Sequence, residues 1–284
     1  MPSAIQSLAG HRALVTGASR GIGRAIAQRL AAHGASVVVS ASPRSVDALD
    51  QTVALIAQAG GRAAAVAADL ADAAARADLV ERAGAAFGAI DILVNNAAAI
   101  PVYAPPSEMD LAARQALFEL DFHAPIDLIQ QALPAMRAGG WGRVLNLSSQ
   151  MREQPPVPTP GPAKQIHRLV IYGAAKRALD RTTEGLAAEL FGSGIHVNAV
   201  LPYKIAHTEA ADAVARAVSG VHPDWVEPVE MMAEAAYLLI SGAQTGRIVV
   251  SRDVLREAQA KLHALDGVTV IGDALTLARD VVRA

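Results

Sequence analysis

The chain has 284 residues, is 52% hydrophobic and carries a formal charge of −2. That is enough for one sizeable core, and too evenly balanced for a nucleic-acid surface or a polybasic membrane patch. It contains no cysteine, which excludes disulfides, thiolate metal sites and cysteine nucleophiles, and its eight histidines include no close pair at ligand spacing, so no metal site is expected.

The opening stretch MPSAIQSLAGHRALVTG lacks the charged start and long apolar run of a signal peptide. No uncharged apolar run reaches the length of a membrane span, so a soluble, cytoplasmic protein is expected.

RALVTG reads as a buried strand and IGRAIAQRLAAHG as an amphipathic helix closed by Gly34. ASVVVSA is a second strand, followed by a helix over residues 45–59. GRAAAVAADL and a helix over 72–87 repeat the unit. DILVNNAA is the fourth strand, and residues 107–138 are predicted to be mostly helical. GRVLNLSS, a long helix over 169–191 and the strand GIHVNAVLP follow, with GRIVVS as a seventh strand. This alternation predicts an α/β fold of one domain, a doubly wound parallel sheet of about seven strands with helices on both faces.

Two stretches interrupt it. Residues 150–169 hold five prolines and cannot be regular through their middle. Residues 252–284 continue past the last expected strand, predicted as two helices around GVTVIGD with an added short strand.

Within TGASRGIG, residues 16–23, Gly17, Gly21 and Gly23 stand between the first strand and the first helix. Glycines there allow a tight turn and a close backbone approach, and the helix N-terminus offers free N–H groups to a pyrophosphate. Dinucleotide sites for NAD(H) put a carboxylate at the end of the second strand. Here SASPRS offers Ser42 and Arg44, with no acid before Asp47, and Arg20 lies inside the glycine turn. The pattern favours NADP(H) over NAD(H).

YGAAK places Tyr172 and Lys176 about one turn apart on one helix face. A free phenol titrates near pH 10, too high for a base at neutral pH. A fixed cation beside it stabilises the phenolate.

Together, TGASRGIG, ADL at 68–70, NNAA at 95–98, SS at 148–149, YGAAK at 172–176 and NAVLP at 198–202 resemble the short-chain dehydrogenase/reductase family, over roughly residues 8–250. The resemblance implies a Rossmann-like domain over 1–251; beyond the family pattern, the proline-rich insertion is expected near the active site and the 252–284 extension packed on the same domain. It implies an oxidoreductase that moves hydride between NADP(H) and a small-molecule carbonyl or secondary alcohol, working as a homodimer or homotetramer without nucleic-acid or membrane partners.

By the same resemblance Gly17, Ser19, Arg20, Gly21, Ile22, Gly23, Ser42 and Arg44 hold the cofactor's phosphates and ribose, and Asp69 and Leu70 its adenine. Asn96 and Ala97 lie at its middle, Pro202 and Ile205 at the nicotinamide. Ser149 would bond the substrate oxygen, Tyr172 would exchange a proton with it, and Lys176 would bind the nicotinamide ribose and ease deprotonation of Tyr172. Blander readings stand beside these: Ser149 bonding only backbone, Asp69 capping only a turn. The rival to an enzyme is a non-catalytic dinucleotide-binding sensor or partner-binding protein on the same fold.

Several positions depart from the family pattern. Asp121 occupies the usual asparagine slot, where it either alters the proton relay or pairs with a nearby cation. Ala98 and Tyr203 replace glycines, and a tyrosine at 203 must avoid positive φ. Ser149 and Tyr172 are 23 positions apart, more than the family's usual separation, which predicts that the insertion walls or covers the active site, or else serves a subunit contact.

Overall fold

The computed structural model describes residues 7–155, 157–158 and 167–273. In chain order its elements are β1 (Arg12–Thr16), α1 (Gly21–Ala32), β2 (Ser36–Ala41), α2 (Val46–Gln58), β3 (Arg62–Ala67), α3 (Ala73–Arg76), α4 (Leu79–Phe87), β4 (Ile92–Asn95), α5 (Leu111–Phe118), α6 (Ala124–Gly139) and β5 (Gly142–Leu147). Beyond them come α7 (Val170–Glu189), β6 (Ile195–Leu201), β7 (Ile205–His207), α8 (Asp212–Ser219), β8 (Val226–Pro228), α9 (Val229–Ser241), β9 (Ile248–Val250), α10 (Ser251–Ala258), β10 (Lys261–His263) and β11 (Val270–Asp273).

Seven strands form one parallel sheet in the order β3-β2-β1-β4-β5-β6-β9, so the expected doubly wound architecture is present. Both faces are covered, which is why β2 is buried along its whole length and reads as a continuous apolar run. Side chains alternate between two cores. Ala13, Val15, Val37 and Val39 face Ile26 and Leu30 of α1 and Leu239 of α9, while Leu14, Val38 and Leu93 face Leu79 of α4 and Leu128 of α6. The strand order reverses between β1 and β4, and in such sheets the crevice at the strands' C-terminal ends is where ligands bind.

The helices differ from the expected ones where geometry intervenes. Residues 72–87 form two helices, with Asp72 capping the short α3 by accepting from the Ala74 and Ala75 amides. The predicted helix over 107–138 starts at Leu111 and is interrupted by a π-turn, Glu119–His123, before α6. Such turns bulge a helix and re-aim the side chains on it.

The C-terminal stretch is one helix followed by an antiparallel hairpin, β10–β11, that takes in VIGD; the second predicted helix falls at 274–284, outside the described residues. Buried Arg29 docks the hairpin, donating to the carbonyls of His263 (2.7 Å) and Ala264 (2.9 Å) and pairing with buried Glu234 at 3.3 Å. Arg29 stands near the C-terminal end of α1, the opposite end of that helix from the glycine turn.

Candidate active site

The glycine turn is held from behind. Asn96 donates through Nδ2 to the carbonyls of Thr16 (2.9 Å) and Gly17 (3.1 Å), and Thr16 Oγ1 accepts from the amides of Asn96 and Ala97. A Cβ on Gly23 would lie 2.5 Å from both Asn96 Nδ2 and the Gly17 oxygen, so only glycine lets α1 start this close to β4. Gly17 and Gly21 have φ of +63° and +56°, a left-handed region that other residues adopt at a cost. The Asn96 amide nitrogen therefore serves to shape the turn.

Arg20 is the N-cap of α1; its backbone is extended, its side chain is exposed and caps nothing, and the helix's first turn holds no acid. Ser19 is buried, with its carbonyl accepting from Arg24. The Gly21 amide donates to Glu209 Oε2 at 3.0 Å, and Glu209 also pairs with Arg24 at 3.4 Å. Beyond β2, Ser42 opens a single 3-10 turn that carries Arg44 outward. Among the described residues, neither Arg20 nor Arg44 makes an ion pair. Asp69 accepts the Ala71 amide at 3.0 Å, the turn-capping role, while remaining exposed; Leu70 beside it is buried.

The catalytic candidates converge at the C-terminal ends of β4 and β5. Lys176, 2% exposed, donates to the Leu147 carbonyl at 3.0 Å and lies 3.2 Å from Asp121 Oδ1, which the π-turn delivers to a fully buried position. Its Nζ is 5.6 Å from the centroid of the Tyr172 ring. Burial works against the ammonium, but the charges of Tyr172, Asp121 and Asp180 outweigh it and raise the Lys176 pKa. Burial pushes the Asp121 carboxyl up from its usual range, against the pull of Lys176 and the Ala99 amide. Asp121 thus pairs with the Lys176 ammonium. Ser149, half-buried, accepts the Met151 amide at 3.2 Å and keeps its hydroxyl proton available.

A family model for short chain dehydrogenases matches residues 11–218. The chain belongs to the short-chain dehydrogenase family. It is 30% identical over 256 residues to ketoacyl reductase HetN of Nostoc sp., across 90% of this chain and 84% of that protein. A 3-oxoacyl (acyl-carrier-protein) reductase from Agrobacterium tumefaciens C58, solved with NADP bound, aligns with a TM-score of 0.74 at 31% identity, over 87% of this chain and 94% of the other. A blue fluorescent protein from a metagenomic library, solved with NADPH, gives 0.73 at 33% identity, over 86% and 97%.

In this short-chain dehydrogenase the departure at Tyr203 meets a buried charged group. Tyr203 keeps a negative φ, since Gln259 is the sole non-glycine residue with positive φ among the described residues. The Arg252 guanidinium lies 4.3 Å over its ring and also pairs with buried Glu227 at 3.1 Å, which accepts from Ser251 Oγ at 2.6 Å. Burial raises the Glu227 pKa, with Ser251, Arg252 and the Tyr203 amide opposing it. Pro202 and Ile205 flank Tyr203, and Ile205 opens β7, paired with β8. The central part of the predicted active-site loop, residues 156 and 159–166, lies outside the described residues. His207 is exposed and bonded to Asp212 at 3.0 Å. No group of three or more potential metal ligands occurs, and no helix is long and apolar enough to cross a membrane, among the described residues.

Sequence reasoning passed over Asp180, Arg152, Glu227 and Glu209. Only Asp180 left a signal, lying one further turn along the helix face that carries Tyr172 and Lys176.

Proposed function

We propose that this short-chain dehydrogenase transfers hydride between NADP(H) and a small-molecule carbonyl or secondary alcohol, with Tyr172 as general acid and base. The observation that carries the reading is the desolvated Lys176 ammonium fixed beside the Tyr172 ring. A cation held there stabilises the phenolate, and Leu147 and Asp121 keep it from swinging away. A protein that only bound a dinucleotide could use the ammonium on the ribose; the phenol held beside it is what favours catalysis.

The residues fit the cofactor. The first turn of α1 has no acid and no side-chain cap, leaving backbone donors for a pyrophosphate, and the chain's own Glu209 carboxylate already rests on one of them. Arg20 and Arg44 offer cations for a 2′-phosphate beside a strand end without the acid that would select a free hydroxyl. The NADP and NADPH carried by the two solved relatives support the same choice. When bound, the nicotinamide supplies or accepts the hydride. Ser149 orients the substrate oxygen, Tyr172 gives it a proton in reduction and takes one in oxidation, and Lys176 bonds the nicotinamide ribose. The reading extends to a cytoplasmic homodimer or homotetramer, for which Leu111, exposed on α5, offers an apolar contact.

The test is NADPH oxidation against a panel of ketones and aldehydes, with NADH and Tyr172→Phe in parallel. Turnover that prefers NADPH and disappears in the variant is expected. Turnover that survives in Tyr172→Phe would overturn the role of the tyrosine, and NADPH binding without any turnover would favour the sensor.

A further inference from the structure

Asp180 is 1% exposed on α7, and its Oδ2 accepts two hydrogen bonds from the other side of the site. One comes from Ser148 Oγ at 3.0 Å and the other from Arg152 Nη1 at 3.1 Å. These donors flank Ser149, the residue that bonds the substrate oxygen in the reading above, on which this inference rests. Between them the chain turns tightly, with the Arg152 amide on the Ser149 carbonyl (3.1 Å) and the Met151 amide on Ser149 Oγ (3.2 Å). A single carboxylate thus grips the serine turn at both ends.

A second contact locks the same turn to the same helix. The Met151 carbonyl sits where a side chain on Gly173 would be, 2.0 Å from an ideal Cβ. Gly173 directly follows Tyr172. The turn carrying Ser149 and the helix carrying Tyr172 and Lys176 are therefore pinned at two points, about two turns of α7 apart. The outer pin extends to the surface, where Arg177 pairs with Glu153 at 3.0 Å.

Burying a carboxylate here is a poor way to gain stability. Its Oδ1 has no hydrogen-bond partner, burial raises its pKa, and a well-packed apolar residue would serve packing equally well. What an apolar residue cannot do is fix two donors four positions apart in sequence. That spacing matters because Ser149 lies in the turn the two donors bracket.

We propose that Asp180 is a positioning residue: by gripping Ser148 and Arg152 it sets the distance between Ser149 and Tyr172. Misplacing a reacting group by about an ångström costs on the order of a hundredfold in rate.

The experiment compares wild type, Asp180→Asn, Ser149→Ala and the double variant, measuring kcat, the NADPH Kd by fluorescence, and amide hydrogen exchange. Asp180→Asn keeps the shape and the acceptor for Ser148 but gives up the ion pair with Arg152. It is expected to lower kcat by about 10- to 100-fold with NADPH affinity unchanged within about twofold, and to speed exchange in residues 148–155 but not in the glycine turn. In the Ser149→Ala background the same change is expected to cost less than about threefold, because its effect runs through the serine. Equal losses in both backgrounds, or a kcat loss matched by lost NADPH binding, would overturn the proposal in favour of a structural role. The exchange measurement needs no turnover. Unchanged exchange at 148–155 sinks the positioning role whatever the activity, whereas absence of Tyr172-dependent turnover sinks only the catalytic reading beneath it.

Discussion

Replacing Asp121 by asparagine removes one negative charge from the buried site and leaves a carbonyl oxygen within reach of Lys176. Lys176 Nζ stands 3.2 Å from the carboxylate and 5.6 Å from the Tyr172 ring centroid, so the carboxylate lies within about 9 Å of the phenol ring. At an effective dielectric between about 20 and 80, two negative charges at that separation repel by about 0.5–2 kcal/mol, roughly 0.3–1.4 pH units. The sign follows from the charges. An ionised Asp121 disfavours a phenolate, so removing it favours one, while Lys176 stays an ammonium because Tyr172 and Asp180 also hold its pKa up. In alcohol oxidation, where the phenolate is the active form, the rising limb of kcat/KM moves to lower pH in Asp121→Asn. In carbonyl reduction, where the phenol is active, the falling limb moves the same way. The assay is a pair of pH profiles in the two directions, with melting temperatures to establish that the variant is folded. A limb that stays in place, or moves to higher pH, would refute the claim that Asp121 acts on the proton at Tyr172 through its charge.

The cofactor side offers two further predictions. Arg20→Ala and Arg44→Ala are each expected to raise the KM for NADPH about tenfold while leaving that for NADH nearly unchanged, the loss of a charged hydrogen bond at an exposed site; equal effects on both cofactors in steady-state assays would place the 2′-phosphate elsewhere. Glu209→Gln is expected to tighten NADPH binding by roughly two- to fivefold in a fluorescence titration, the 0.3–1 kcal/mol of an anion at an exposed helix N-terminus, and by less as salt is raised. Its carboxylate rests on the Gly21 amide. Weaker binding in the variant would mean that Glu209 supports the turn and does not compete at it.

Most of the frame was legible because each part of it has a local cause. The seven strands of the sheet are apolar runs, and the turn of residues 16–23 announces itself by glycines that a Cβ count later explains. Tyr172 and Lys176 could be paired from helix geometry alone. What escaped were contacts between residues far apart in sequence. Nothing at position 209 signals that its carboxylate meets Gly21, and nothing at 227 signals that it joins Ser251 and Arg252 beneath Tyr203. The break at Glu119–His123 was hidden for another reason: a helix and a helix with a π-turn share nearly the same pattern of apolar positions.

The buried charges around α7 suggest why Asp121 and Asp180 coexist. Lys176 alone, with its ammonium desolvated, would be pushed toward the neutral form by burial. The charges of the two carboxylates counter that push, Asp121 in contact with Nζ and Asp180 one turn along the helix, tied to Arg152. An asparagine at 121 removes one of these charges and leaves that of Asp180 to support the lysine's protonation. On this account the two aspartates are coupled: Asp121→Asn should be tolerated with Asp180 intact, and the added loss of Asp180 should cost more than the two single changes together, because only then is the buried ammonium left without a carboxylate.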